Sequence, residues 1–92
     1  MNLNAPEYIA NYIGGELQRP LNGNYMDNIN PATGEVYSHT PASDMQDVEE
    51  AVGAAKAAFP AWSTTPAEER FKILNRIAEL IDANLDALAL AE

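Results

Sequence analysis

The apolar residues of this chain change period at Thr40, and that switch limits the folds open to it more than any other feature. From Tyr8 to Thr40 the apolar positions hold Tyr, Ile, Leu and Val, broken by Gly14-Gly15, Asn22-Gly23 and the run Pro31 to Gly34. Such residues between turn formers read as short strands. Two adjacent glycines accept positive φ angles without a Cβ penalty, so "NYIGGEL" reads as a tight two-residue hairpin. In "NINPATGEV", Asn30 before Pro31 suits turn initiation and Thr33 can bond locally. Gly34 supplies the left-handed position that reverses the chain into "EVYSHT".

Beyond Thr40 the pattern is helical. Ser43 and Gln46 have capping-box spacing, which predicts a first helix starting there. Val48, Val52, Ala55 and Phe59 form one stripe of a 3.6-residue period, with Asp47, Glu50 and Lys56 facing elsewhere. Pro60 disfavours helix at Phe59, so this helix is expected to end or kink there. Thr65-Pro66-Ala67-Glu68 combines an N-cap hydroxyl, a first-turn proline and an acid, and predicts a second helix from Pro66. Its apolar face is Phe71, Leu74, Ile77, Ala78, Ile81 and Leu85, with Arg70, Lys72 and Arg76 outward and Glu69 in no pair of note. Asn84 either ends this helix or caps a short third one through "LDALALAE". Glu92 falls inside that apolar-periodic segment with no stop signal, so the helical pattern is expected to continue. The reading is an α+β chain: a flexible amino terminus at 1–7, a β-hairpin region at 8–40, and two or three amphipathic helices at 41–92.

Charge and composition exclude several function classes. Five basic residues stand against 14 acidic ones, a formal charge of -9, which repels DNA or RNA. The acids are spread along the helical segments and read as a solvated face. Absence of cysteine removes disulfides, thiolate zinc ligands and thiol catalysis from these residues, and fits a reducing cytosol. The start "MNLNAPEYIANYIGG" has no basic n-region, and no run approaches the ~20 apolar residues of a membrane span. The expectation is a cytoplasmic chain without a membrane partner. At 92 residues it can form at most one small domain, burying roughly 60 to 65% of its unfolded surface.

No set of residues reads as an active site. His39, the only histidine, sits at a strand end without a neighbouring His or Cys, and reads as a surface strand residue lacking an assignable nucleophile or orienting group. Serines 38, 43 and 63 lie outside any G-x-S-x-G context. Glu49-Glu50 and Glu68-Glu69 point about 100° apart on their helices, so they read as first-turn charges complementing the dipole rather than as a carboxylate dyad. Gly14-Gly15 belongs to no dinucleotide or P-loop fingerprint and reads as a turn. Trp62 in "FPAWSTTP" reads as the plug under an interhelical corner, with stacking on a ligand ring as the alternative.

The order of the pieces carries a resemblance. "NYIGGEL", then "NINPATGEVYSHTPAS", then "DVEEAVGAAKAAFPAWSTTPAEERFKILNRIAELIDANLDALALAE" resembles the amino-terminal segment of the NAD(P)-dependent aldehyde dehydrogenase superfamily over nearly everything from Tyr12 to Glu92. "YIGGE" and "ERFKILNRIAELI" look closest to semialdehyde and hydroxymuconic semialdehyde members. The resemblance implies an incomplete piece of the family's α/β cofactor-binding domain, cytoplasmic and homo-oligomeric in the parent enzyme. It also implies a small-molecule aldehyde as substrate and NAD or NADP as cofactor. It places no catalytic and no cofactor-binding residue within these 92: the family's cysteine nucleophile, its glutamate and its ribose-binding residues all match nothing here. In some relatives, carbonyls just before the "NP" line a monovalent cation site, and that feature carries over to the backbone of Asn28 and Ile29. Two other readings stand beside this one. One is an acidic adaptor, or a natural truncation product, binding a partner through its helix faces. The other is an enzyme complete in 92 residues, against which the missing nucleophile and phosphate loop count.

Overall fold

A computed structural model describes residues 7–92. Four strands in two antiparallel hairpins precede three helices, so the chain is the α+β fragment its periods imply. Residues 1–6 of the expected flexible terminus lie outside the described residues.

Strands β1 (Asn11–Ile13) and β2 (Glu16–Gln18) pair with Ile13 opposite Glu16, leaving Gly14 and Gly15 as the whole loop. Their φ angles are +62° and +84°. Positive φ at both central residues twists the turn to match the right-handed strands, and only glycine takes it without strain.

Strands β3 (Tyr25–Ile29) and β4 (Val36–Pro41) form the second hairpin. Tyr25 pairs with Pro41 and Asn28 with Ser38, but Ile29 pairs with Val36, which leaves Tyr37 as an extra residue on β4. A bulge of this kind bends and twists its strand. Along β4's other edge, His39 accepts from the N–H of Ile9 and donates its own N–H to the Glu7 carbonyl, both at 2.8 Å. The segment around Tyr8 thereby covers an edge that would otherwise be open to pairing.

Helix α1 (Met45–Ser63) starts one residue later than the Ser43–Gln46 box predicts. Asp44 is the cap: its Oδ1 accepts from the N–H of Gln46 at 3.0 Å and of Asp47 at 3.4 Å, while Asp47 Oδ2 accepts from the N–H of Asp44 at 3.1 Å. Ser43 is engaged elsewhere, its hydroxyl accepting from Asn11 Nδ2 at 2.8 Å. Asp47, expected to face away from the apolar stripe toward solvent, is buried. It is also the acid of the first turn, a place expected for Glu49-Glu50.

Pro60 does not end α1, which runs on to Ser63. The carbonyls of this last turn are taken up by hydroxyls instead. Thr64 Oγ1 donates to Pro60 at 3.0 Å, and Thr65 Oγ1 to Ala61 at 2.9 Å. Thr65 therefore closes α1 rather than opening α2 (Ala67–Ala83), which has Pro66 at its cap position and no side-chain cap. Glu69 does find a partner, Lys72 at 3.5 Å. Asn84 plays both expected parts: it terminates α2, its Nδ2 donating to the Leu80 carbonyl at 2.7 Å, and its own carbonyl accepts from Leu88 in α3 (Leu85–Ala91).

The described residues divide into two compact units at Phe59 and Pro60. Among the described residues those buried are Pro20, Ser38 and Asp47, and no large aliphatic or aromatic side chain is fully covered. Trp62 lies in the last turn of α1 and is 44% exposed, so it plugs no corner.

Candidate functional site

The "NINPATGEV" loop is a self-sufficient turn. Asn30 Oδ1 accepts from the N–H of Ala32 at 2.9 Å, and its carbonyl accepts from Thr33 and Gly34. Thr33 Oγ1 accepts from Glu35, and Gly34 sits at φ +75°. Each role expected of Asn30, Thr33 and Gly34 is filled by a local bond.

Asn28 and Ile29, the expected cation ligands, flank the register shift in β3. The Asn28 amide donates to the hydroxyl of buried Ser38 at 3.0 Å, which fixes the strand pair just before the turn. Ile29 is 55% exposed. Two carbonyls are too few oxygens to replace a cation's hydration shell, and among the described residues no cluster of His, Asp or Glu stands ready to add to them.

His39 is less simple than a surface strand residue. Its Nδ1 lies 3.2 Å from Asp27 Oδ1 across the strand pair, its ring stacks on Tyr8 at 4.8 Å, and Tyr8 in turn meets Tyr25 edge-on at 5.0 Å. Asp27 is the orienting group that the sequence alone does not reveal. A turn over Pro31 to Gly34 would by itself set Ser38 opposite Asp27; the extra residue Tyr37 on β4 is what brings His39 there, and the sequence carries no local signal for it. The pair supplies the base and its orienter, but among the described residues no hydroxyl is hydrogen-bonded to the imidazole, and the sequence holds no thiol. Chemically it can tie strands together; it has no nucleophile to activate.

Two shallow grooves run where the β1–β2 hairpin meets α1. One, of about 270 Å³, has Asn11, Ser43 and Asp47 at its polar end, and these groups are satisfied within the protein. The other, of about 620 Å³, is walled by Tyr12, the glycine turn and alanines of α1. Alanine 54 lies 3.9 Å from where a Cβ on Gly14 would sit, so the small side chains let hairpin and helix come close. Neither groove brings together a nucleophile, a base and a phosphate cradle.

The model of the aldehyde dehydrogenase family matches residues 19–92. The chain belongs to the aldehyde dehydrogenase family. It is similar to 2-aminomuconic semialdehyde dehydrogenase of Bos taurus, 45% identical over 91% of this chain and 17% of that protein. It is similar also to acetaldehyde dehydrogenase 2 of Cupriavidus necator, 49% identical over 89% of this chain and 16% of the relative. A probable aldehyde dehydrogenase of Mycobacterium tuberculosis is 46% identical over the same shares. The chain thus spans about a sixth of the length of the curated relatives it matches. A semialdehyde enzyme stands among these relatives, as "YIGGE" and "ERFKILNRIAELI" suggest, beside enzymes named for acetaldehyde. No described helix is long and apolar enough to cross a membrane.

Proposed function

We propose that these 92 residues are the amino-terminal scaffold of an NAD(P)-dependent aldehyde dehydrogenase that oxidises a small aldehyde to its acid in the cytoplasm, as a homo-oligomer. The observation that carries this reading is the family match over residues 19–92 in a chain with no cysteine. The family reaction needs a thiolate to attack the carbonyl, so the nucleophile of such an enzyme comes from outside these residues. The cofactor does not fit here either. Gly14 and Gly15, the one glycine pair, are spent on a hairpin turn, and the groove beside them is walled by alanine rather than by phosphate-binding amides. No step is derived through NAD or NADP on this segment. Its work is positional: the two hairpins and α1 hold fixed faces against which the rest of the enzyme packs, and Asn28 and Ile29 lend backbone carbonyls to a monovalent cation whose other ligands lie elsewhere.

The exposed faces of α1 and α2 favour one other reading, an acidic adaptor that binds a partner through them. The intact mass of the native gene product, captured through this segment, separates the two. A mass several times 10.0 kDa, with NADH or NADPH formed on addition of an aldehyde, supports the dehydrogenase. A mass near 10.0 kDa with saturable binding to another protein supports the adaptor.

A further inference from the structure

Asn22-Gly23 is the one Asn-Gly step in the sequence, and the turn it forms is tied to the start of α1. Asn22 Nδ2 donates to the Ala42 carbonyl at 3.3 Å and to Asp44 Oδ2 at 3.4 Å, while its Oδ1 accepts from the N–H of Asn24 at 2.9 Å. Gly23, at φ +73°, donates its N–H to the Pro20 carbonyl at 2.9 Å. One side chain therefore joins the turn to the residue that caps the helix.

We propose that Asn22 is a deamidation site which the folded turn restrains, and whose conversion weakens the N-terminus of α1. A glycine after asparagine is the sequence context that allows the reaction, because no Cβ keeps the Gly23 nitrogen from the Asn22 side-chain carbonyl. The Gly23 nitrogen, losing its proton to solvent base, bonds to Asn22 Cγ. The Cγ–Nδ2 bond breaks and the nitrogen leaves as ammonia, giving a succinimide. Water then opens either carbonyl of that ring, to aspartate or isoaspartate, with no oxidant or reductant needed. In the folded turn both reactants are held: the attacking N–H by Pro20 and the leaving amide by Ala42 and Asp44. Reaction proceeds only when the turn opens locally.

The product reverses the sign of the contact. Aspartate at position 22 puts an acceptor oxygen, carrying charge, where Nδ2 donated to Ala42 and to the Asp44 carboxylate. Like charges at that separation repel, and Asp44 is the group that caps Gln46 and Asp47. Isoaspartate in addition lengthens the main chain by one carbon inside the turn. No other asparagine has both the glycine and the link to a cap.

The test is peptide mapping of the protein after incubation at mildly alkaline pH, with and without urea, together with hydrogen exchange of two variants. Asn22 is expected to convert to aspartate and isoaspartate ahead of every other asparagine, and at least about tenfold faster in urea than in buffer. Equal rates in the two conditions, or conversion at Asn22 no faster than elsewhere, overturn the restraint. Asn22→Asp is expected to speed exchange at the Gln46 and Asp47 amides well beyond Asn22→Ser, which removes the donor without adding charge and cannot deamidate. If Asn22→Asp exchanges like the unaltered protein, the link to α1 is wrong. If Asn22→Asp does not fold while Asn22→Ser does, the added charge is the cause and the link stands.

Discussion

Leu21 donates its backbone N–H to Oδ1 of Asp47 at 2.9 Å, while Oδ2 of the same carboxylate takes the N–H of Asp44. One buried side chain thus closes the capping box that Asp44 opens on α1 and holds the segment leaving β2. Truncating it removes the charged acceptor of two part-buried backbone hydrogen bonds, each worth about 1.5–3 kcal/mol. Asp47→Ala should therefore destabilise the fold far more than a surface change, by about 2–4 kcal/mol. Asp47→Asn, which keeps one acceptor oxygen, should cost roughly half as much. Chemical denaturation of both variants checks the order; an alanine variant as stable as the parent would show that neither bond matters.

Gly14 and Gly15 offer a cleaner test of backbone strain. Both have positive φ, yet an added Cβ at Gly15 meets nothing within 4 Å, and at Gly14 it meets Ala54 only at ordinary contact distance. Alanine at either position should then cost about 1–2 kcal/mol from the dihedral alone, and by similar amounts. Thermal melting decides it. A Gly14→Ala penalty several times that of Gly15→Ala would mean that hairpin and helix are packed more tightly than the 3.9 Å contact implies.

These two cases also show what the sequence could and could not reveal. The glycine hairpin and the Asn30–Gly34 turn are written locally: every bond that makes them joins residues within a few positions, so residue type and spacing suffice. The start of α1 is not. Ser43 and Asp44 are both good caps with a suitable partner three residues on, and the tie is broken by distant groups, Asn11 taking the Ser43 hydroxyl and Leu21 the Asp47 carboxylate. Thr65 fails as a helix start for a related reason: its hydroxyl has an open α1 carbonyl behind it as well as α2 amides ahead, and it takes the former. At the candidate site the same division holds. The loop was legible, whereas the Asp27–His39 pair depends on strand register, which no local motif states.

Pro60 marks a place where α1 departs from local preference. It contributes no N–H, so the Lys56 carbonyl lacks its usual helical partner, and a proline in a helix interior costs about 3 kcal/mol. Here it stands near the helix end, where hydroxyls of Thr64 and Thr65 take over neighbouring carbonyls, so the cost is smaller. Pro60→Ala is expected to stabilise the helix by about 1 kcal/mol, raising Tm by about 4–8 °C for a chain of this size and increasing the far-ultraviolet helical signal. A drop in Tm would mean that proline's rigidity in the unfolded chain outweighs the bond it removes.

The face of α2 sets the strongest expectation for the 92 residues on their own. Phe71 and Leu74 are 66% and 62% exposed, and Ile77 and Ile81 on the same stripe are about half exposed. Covering each such side chain is worth about 1.5–3 kcal/mol. Four of them together reach the scale of the 4–15 kcal/mol that association costs, so the face can drive self-association. Opposing this is the formal charge of -9, which pushes copies apart. The Debye length is about 8 Å at physiological salt and 3 Å at 1 M, so added salt removes the repulsion and leaves the apolar gain. Light scattering on the isolated chain should therefore show oligomers whose proportion rises with concentration and with salt. Leu74→Glu with Ile77→Glu should return it to monomer while the helical signal persists. A monomer at high concentration and 1 M salt would show that burial on α2 is too weak to hold two copies together.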